Sequence, residues 1–372
     1  MNDCTDIDKM NIIKFDQYKV DLWEKVRQPL SATIELTPRC NFNCVHCYMQ
    51  NCHQKPEMSY EELIHIIDVC YEKGVLFLTF TGGEVFTRND FVDIYLYAKK
   101  KGFVVGFFTN AYRIKDEYIE VFKEYPPLLI DISLYGANNE TYFKVTGVKG
   151  AFDIVVDNCN KLINAGLRIA LKSPIITYTL MEISCMRELA HSMKVDFRFS
   201  FDISPTLEND RGPEQYEVSV KDMFKYEIQD PIRIKEGKKA ATIENGYAQD
   251  FIDGIPTPLF LCKVGKNEFF IDYEGNMCPC ASYRTKGEKL TNNFDEIWEK
   301  FATLQKVKAS LNNKCAKCDC RYFCKVCPAE MESITGNPEA IPESLCKFSK
   351  IRKSYFKDLL SADEAITKME HE

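Results

Sequence analysis

Three cysteines stand close together in one short segment of the chain. Cys40, Cys44 and Cys47 fall within eight residues in the pattern CxxxCxxC, directly after a β-rich run. A [4Fe-4S] cluster has four irons, and each iron takes a thiolate when the protein coordinates the cluster fully. Three thiols in one loop therefore predict a cluster with one iron open to a ligand that is not protein. An open iron indicates chemistry rather than scaffolding.

A zinc site is the competing interpretation of this loop. Structural zinc sites close with four ligands, commonly as two CxxC pairs or as CxxC with two histidines. His46 is the only rival fourth ligand, and its position between Cys44 and Cys47 in a tight loop makes coordination awkward. The spacing therefore favours iron.

A second group of nine cysteines lies in the last third of the chain. Its members are Cys262, Cys278, Cys280, Cys315, Cys318, Cys320, Cys324, Cys327 and Cys346. Taken alone, their CxxC pairs are also typical of zinc knuckles. The other cysteines lack mutual spacing, and we interpret them as small buried hydrophobes or spectator thiols. These are Cys4, Cys52, Cys70, Cys159 and Cys185.

The overall composition restricts the class of protein. The chain has 372 residues, 45% of them hydrophobic and 28% charged, which is ordinary for a folded soluble protein. A net charge of −7 disfavours nucleic acid and anionic membranes as partners. No apolar run approaches the roughly 20 residues of a membrane span, and the opening residues do not resemble a leader. With 17 cysteines, we expect a cytoplasmic protein that uses its thiols for metal.

Alternating β-rich and amphipathic segments must position the first cysteine loop. The predicted strands are 31–37, 76–82, 104–109, 128–134, 169–176 and 197–203, and the predicted helices are 59–73, 90–101, 115–124, 151–165 and 180–193. Parallel strands need crossover helices, so this alternation predicts a parallel sheet. Six units are fewer than the eight of a closed barrel. The predicted fold class is α/β: a partial (β/α)6 TIM-like barrel followed by a cysteine-rich iron-sulfur domain.

The predicted organisation places several segments around this barrel. They are an N-terminal extension over 1–30, the barrel over 31–210, a connecting segment over 211–258, the cysteine-rich domain over 259–350 and a C-terminal helix or tail over 351–372. The cysteine-rich domain begins with a hairpin that turns at Glu274 and Gly275, followed by a helix over 294–309. This is too little apolar material for an independent core, so we expect metal to help hold it.

The first cysteine loop and the predicted barrel together resemble the radical S-adenosylmethionine (radical SAM) superfamily. In that family the open iron is chelated by the amino and carboxylate groups of SAM. The resemblance implies that His46, before the third cysteine, lies against the adenine. It also implies reductive cleavage of SAM to a 5′-deoxyadenosyl radical, which abstracts a substrate hydrogen. The electron would come from a flavodoxin or ferredoxin.

Two further positions agree with this resemblance. Gly82, Gly83 and Glu84 follow the second strand and match the family's GGE motif, which accepts hydrogen bonds from the methionyl ammonium of SAM. Asn110 and Ser133, at the ends of the third and fourth strands, occupy positions that line the methionyl and ribose parts of SAM in relatives. Polar residues at strand ends are also common as simple caps.

The last third resembles the SPASM domain, which usually houses two auxiliary [4Fe-4S] clusters, giving three clusters in all. The resemblance assigns the distal cluster to Cys315, Cys318, Cys324 and Cys346, and the proximal cluster to Cys262, Cys280 and Cys327.

This sequence departs from the SPASM pattern in two places. Cys324 and Cys327 are separated by two residues, whereas the family pattern has three. It also lacks a cysteine shortly before Cys262. Either Cys278 closes the proximal cluster or an iron there stays open to a substrate thiolate. Cys320 is a further surplus thiol, and Cys278 and Cys320 can equally be bystanders.

Enzymes with this layout mostly modify peptides. The leading hypothesis is therefore a maturase that forms thioether or carbon-carbon crosslinks in a ribosomal peptide. Only some 30 residues precede the first strand, too few for the N-terminal recognition domain that many peptide-crosslinking relatives carry. Either a separate recognition protein therefore delivers the peptide, or the barrel mouth and residues 205–258 bind it directly. The alternatives are formylglycine formation in a sulfatase, dehydrogenation of a small alcohol, and a non-catalytic iron or zinc protein.

The catalytic base is less clearly marked in the sequence. Sulfatase-maturing relatives carry an aspartate directly after the hairpin cysteine, whereas Ala281 follows Cys280 here. Asp202, near the end of the sixth strand, is the substitute base that we predict at the barrel mouth. A buried or capping carboxylate is an equally open interpretation of Asp202.

Overall fold

A parallel sheet forms the wall of the barrel. The computed structural model describes residues 27–243, 253–255, 257–324 and 326–370, with side chains described as far as Ser361. The strands are β1 (Ser31–Glu35), β2 (Phe77–Thr81), β3 (Val104–Thr109), β4 (Ile130–Ser133), β5 (Ile169–Pro174) and β6 (Asp196–Ser200). Each pairs in parallel with the next. Because β6 lies at one edge of the sheet and β1 is paired on both sides, the barrel is open, and the predicted partial barrel is confirmed.

Helices connect these strands as crossovers. They are α1 (Tyr60–Glu72), α2 (Phe91–Lys100), α3 (Asp116–Glu124), α4 (Asn139–Thr146), α5 (Ala151–Asn164) and α6 (Ile183–Ser192). The predicted capping box of α1 is present, since Ser59 and Glu62 each bond the other's backbone N–H. Helix α4 was not among the predicted helices. Asn138 caps it and Gly147 ends it with φ of 74°, although its sequence is mostly polar.

The cysteine-rich region extends the same sheet. Strand β7 (Glu268–Ile271) pairs in parallel with β1, and β8 (Asn276–Cys278) and β9 (Glu288–Lys289) continue the sheet in antiparallel pairing. The predicted hairpin is confirmed, and Gly275 adopts φ of 83° in its turn. Strand β1 therefore lies between β2 and β7 and belongs to both parts of the molecule.

Helix α9 (Phe294–Ala302) gives this extension an apolar core. The rings of Phe294 and Trp298 lie 5.4 and 6.0 Å from that of Phe269 on β7, and all three join the barrel core. This half of the region therefore shares the apolar core of the barrel, and the role of metal in holding the region stays a prediction. The helix ends at Ala302, before the predicted residue 309. A separate single turn, Leu304–Lys306, follows it, and the chain is extended at Val307, whose carbonyl accepts a hydrogen bond from Leu259 N at 2.9 Å.

A helical layer packs behind the last cysteines. It contains α7 (Val220–Glu227), α8 (Pro231–Thr242), α10 (Pro328–Thr335) and α11 (Glu343–Glu370). Helices α7 and α8 lie within residues 211–258, which the sequence analysis interpreted as a connecting segment. Arg352 on α11 forms a buried ion pair with Glu227 on α7, 2.6 Å apart. Gly237 on α8 lies directly against the buried ring of Phe356. Within the described ranges, no helix combines the length and the apolar character that crossing a bilayer requires.

The contact between α8 and α11 yields a test of this packing. A methyl group at Gly237 would overlap the Phe356 ring, so Gly237→Ala must separate the two helices. We expect the free energy of unfolding to fall by about 1–3 kcal/mol in a denaturant titration. Lys235→Ala, at an exposed position of the same helix, is the control and should stay within about 0.5 kcal/mol of the parent. Equal stability of the two variants would contradict the close approach.

Candidate active site

The first cysteine loop follows β1 and is held by backbone hydrogen bonds. Asn43 N and Val45 N donate to the carbonyls of Thr146 and Val145 on α4, each at 3.0 Å. Helix α4 therefore supports the loop from outside.

The three thiols of this loop are at least partly buried and interact with one another. Burial raises the pKa of Cys40 to about 12 and that of Cys47 to about 11, and it also raises the pKa of Cys44. Loading a metal must therefore release protons from these groups.

One cavity of about 600 Å³ lies where the strands end, beside this loop. It brings together most of the site residues that the sequence predicted. These are Cys40, Cys44, His46, Cys47, Gly82, Gly83, Asn110, Ser133, Asp202 and Cys280. Asp202 is exposed, two residues past β6, and pairs with the Ser200 hydroxyl. Cys280 reaches the cavity from the cysteine-rich region, so both cysteine groups contribute to one space.

Two glycines after β2 allow a close approach to the cysteine loop. Gly83 N donates to Thr37 O at 2.8 Å, and Gly82 adopts φ of 150°. A Cβ at either glycine would overlap a backbone oxygen of Thr37 or Arg39. The glycines therefore let the end of β2 lie against the chain that leads into the cysteine loop.

Glu84, the third residue of this motif, is fully engaged by neighbouring residues. Its buried carboxylate accepts hydrogen bonds from Asn110 N at 2.6 Å, Thr109 Oγ1 at 2.7 Å and Phe86 N at 3.1 Å. Burial raises the pKa of Glu84 to about 7, against the effect of these hydrogen bonds. Glu84 is absent from the residues described as lining the cavity, and its carboxylate instead ties the end of β2 to the end of β3.

The donor set beside the thiols fits a bound iron-sulfur cluster and SAM. Among the described residues, His46 Nδ1 and Asn41 Nδ2 are buried without a hydrogen-bond partner. Asn110 Nδ2 lies 3.8 Å from Cys40 Sγ. Burial also lowers the pKa of His46 to about 4, so its ring stays neutral. The thiols can coordinate iron. A hydrogen-bonding ligand on that iron would supply partners for the unpaired nitrogen atoms, and the glycines leave room for it.

The sequence reasoning did not single out Lys172, which also lines the cavity. Lys172 projects from β5, and its Nζ lies 3.1 Å from the ring centroid of Phe108. Burial lowers the pKa of Lys172 to about 8. The sequence feature that could have indicated Lys172 is that it carries the only charge in the otherwise largely apolar segment IALKSPII.

The cysteines of the last third separate into two groups. Electrostatic interactions link the thiol of Cys315 to those of Cys318, Cys324 and Cys346. A separate set links Cys280 to Cys262 and Cys327. A cavity of about 370 Å³ adjoins these groups. Its cysteine lining is Cys262, Cys315, Cys318, Cys320, Cys324, Cys327 and Cys346.

Cys278 and Cys320, the surplus thiols, occupy different surroundings. Cys278 is fully buried, its Sγ lies 3.6 Å from Asn276 O, and it packs against Gly287. Cys320 stays near the other thiols. Its Sγ, the Sγ of Cys318 and a carboxylate oxygen of Asp319 lie within 4.8 Å of one another. Cys278 is thus enclosed by the hairpin, whereas Cys320 faces the cavity.

Comparison with known proteins identifies both parts of the chain. Residues 34–191 match the radical SAM superfamily, and residues 262–319 match the SPASM iron-sulfur cluster-binding domain. The chain belongs to the radical SAM superfamily. It is a radical SAM enzyme that uses SAM and a [4Fe-4S] cluster, and its SPASM domain carries additional iron-sulfur clusters.

Individual relatives of this radical SAM enzyme act in different processes. AdoMet-dependent heme synthase of Methanosarcina barkeri is 27% identical over 82% of this chain and 92% of its own length. The subtilosin biosynthesis protein AlbA of Bacillus subtilis is 30% identical over 73% of this chain and 59% of its own. The fold also resembles Streptococcus suis SuiB bound to the precursor peptide SuiA, with a TM-score of 0.63 and 15% identity over 89% of this chain and 78% of SuiB.

The glycine contact described above gives a test of the SAM site. Gly83→Ala places a methyl group against the backbone at Arg39 and must displace the chain before Cys40. We expect SAM affinity of the reconstituted enzyme, measured by calorimetry, to fall about 10- to 100-fold. Gly212→Ala is the control, because a Cβ there meets only ordinary contacts of 3.4 Å or more. SAM binding by Gly83→Ala at the parent affinity would refute the interpretation.

Proposed function

We propose that this radical SAM enzyme is a peptide maturase that abstracts a hydrogen from a ribosomal peptide and forms a thioether or carbon-carbon crosslink. The observation that carries the proposal is the shared cavity, which Cys280 of the SPASM domain lines together with the first cysteine loop. A substrate in that cavity contacts both the SAM site and the auxiliary site.

Within this proposal, the first cysteine loop and the residues around it hold the SAM cluster and SAM. Cys40, Cys44 and Cys47 coordinate the cluster, and His46, Asn110 and Ser133 surround SAM together with Gly82 and Gly83. Glu84 supports this site by holding the end of β2 against the end of β3. When bound, the cluster and SAM supply a 5′-deoxyadenosyl radical from reductive cleavage. The electron donor is a flavodoxin- or ferredoxin-type protein. The protein's own contribution is to orient SAM and exclude water from the cavity.

We assign the proximal auxiliary cluster to Cys262, Cys280 and Cys327. The mutual interactions of these thiols support that assignment, and the enclosure of Cys278 by the hairpin argues against a fourth ligand there. An iron without a protein thiolate is open to a cysteine of the substrate, which suits thioether formation. Cys315, Cys318, Cys324 and Cys346 then hold the distal cluster, giving three clusters per chain, and Cys320 is a neighbouring thiol.

The relatives support a peptide substrate. The name of AlbA places it in bacteriocin biosynthesis, and SuiB carries a precursor peptide. A separate recognition protein can deliver the peptide to the barrel mouth, where Asp202 is the proposed proton acceptor. Formylglycine formation is less well supported, because Ala281 lines the cavity where those enzymes carry an aspartate.

A step of heme synthesis is the second candidate. The likeness to the Methanosarcina heme synthase spans 92% of that protein, more than the 59% for AlbA. Lys172 also offers this cavity a cation that suits a carboxylate-bearing small molecule.

Metal content tests the assignment of the clusters. The reconstituted parent should contain about 12 irons per chain, and replacement of Cys40, Cys44 and Cys47 together by Ala should leave about 8 and abolish formation of 5′-deoxyadenosine. Iron and sulfide analysis provides the count. Cys185→Ala, at an exposed thiol without an assigned ligand role, should retain the parent values. A triple variant that keeps all of its iron would contradict the assignment.

The substrate proposal is tested with a short cysteine-bearing peptide encoded beside the gene. Anaerobic incubation with SAM and reductant should remove a pair of hydrogen atoms for each crosslink, as seen by mass spectrometry. The same peptide with its cysteines changed to Ser should lose any thioether while SAM cleavage continues. An unmodified peptide, together with turnover of a carboxylated tetrapyrrole, would favour the second candidate.

A further inference from the structure

A buried carboxylate joins the two parts of the active site. Glu35, the last residue of β1, has no exposed surface. Arg284 donates to its two oxygens from Nη1 at 2.7 Å and Nη2 at 2.8 Å. The Tyr48 hydroxyl donates to the same carboxylate at 3.1 Å. A two-pronged arginine-carboxylate contact fixes both partners in one orientation.

The partners of Glu35 come from different cysteine groups. Tyr48 directly follows Cys47 and lines the 600 Å³ cavity. Arg284 begins the single turn Arg284–Lys286, shortly after Cys280, which lines the same cavity. One carboxylate therefore connects the end of β1 to the first cysteine loop and to the chain after the SPASM hairpin.

Aromatic contacts hold the guanidinium in place. The Arg284 guanidinium lies 4.7 Å from the ring centroid of Phe270 on β7 and 5.7 Å from that of Tyr48. Its Nε is buried and has no hydrogen-bond partner among the described residues. The arginine, whose side chain is 16% exposed, thus lies between β7 and the cysteine loop with most of its surface removed from water.

We propose that Glu35 and Arg284 are positioning residues for SAM cleavage. The ion pair fixes Tyr48 and through it Cys47, so the geometry of the first cluster depends on the fold of the SPASM hairpin. Removing the arginine leaves an uncompensated buried charge on Glu35, and the end of β1 must rearrange to relieve it. This inference rests on the radical SAM chemistry alone and is independent of the substrate proposed above.

The test uses the reconstituted enzyme with SAM and dithionite and needs no peptide. Arg284→Met should lower the rate of 5′-deoxyadenosine formation about 10- to 100-fold and alter the EPR signal of the SAM cluster, with iron content unchanged. Arg284→Lys keeps the charge but loses the two-pronged contact, so its rate should lie between those of the parent and Arg284→Met. The double variant Glu35→Gln/Arg284→Met should lose no more than Arg284→Met alone, because the two residues act as one unit.

Arg187→Met is the matched control, because it also breaks an arginine-carboxylate pair. Arg187 Nη2 lies 3.3 Å from Asp230 Oδ2, outside the cavity. This variant should keep the parent rate and EPR signal. Where Arg284→Met cannot retain iron, Tyr48→Phe carries the test, since it preserves the ion pair and removes only the phenol hydrogen bond. Tyr48→Phe should shift the EPR signal at full iron content. An unchanged EPR signal in either variant at full iron content, or an equal loss in Arg187→Met, would overturn the proposal.

Discussion

Strand β1 is the constraint on which the rest of the structure depends. It is five residues long, yet it pairs in parallel with β2 on one side and with β7 on the other. The chain that leaves it becomes the first cysteine loop. A parallel sheet fixes the register of both neighbours, so the GGE motif after β2 and the hairpin after β7 are placed relative to that loop by backbone hydrogen bonds. The first cysteine loop and Cys280 of the SPASM domain therefore line one cavity without a flexible joint between them.

Buried polar groups connect the strand ends around the mouth of the barrel. Glu84 ties β2 to β3, and Glu35 connects β1 to the SPASM hairpin. Each buried carboxylate accepts several hydrogen bonds, which compensate for the contacts with water that it loses on burial. The aromatic packing of residues such as Phe91, Phe107 and Phe122 supplies the apolar core of the barrel.

The sequence predicted the repetitive features well, because periodicity is a local signal. All six barrel strands, the capping box of α1 and the hairpin turn at Gly275 follow from short-range patterns. The pairing of β7 with β1 was missed, since nothing near residue 268 records a partner more than 200 residues earlier. Helix α4 was missed because most of its residues are polar, so its sequence shows no clear apolar stripe. Its role is evident only in the folded chain, where the cysteine loop forms hydrogen bonds with it.

The site shows the same division between local and distant signals. The cysteines and the glycines have distinctive spacing, so they could be found without a structure. Lys172, Glu35 and Arg284 are single charges with no motif around them, and their roles depend on contacts that only the folded chain creates. Cys278 illustrates the reverse case, because a thiol beside a predicted ligand turns out to be enclosed by its own hairpin.

The position of Cys346 has a consequence for the order of assembly. This thiol lies on α11, which is anchored by α7 and α8 through Glu227, Arg352 and the close contact of Gly237 with Phe356. During synthesis the first cysteine loop and the barrel emerge long before that helix, and folding generally proceeds in the order of emergence. The first cysteine loop can thus reach its place before the group of Cys315, Cys318, Cys324 and Cys346 is complete, because that group needs α11 to dock. Docking of the helical layer is therefore the step that brings the last thiol of this group into place.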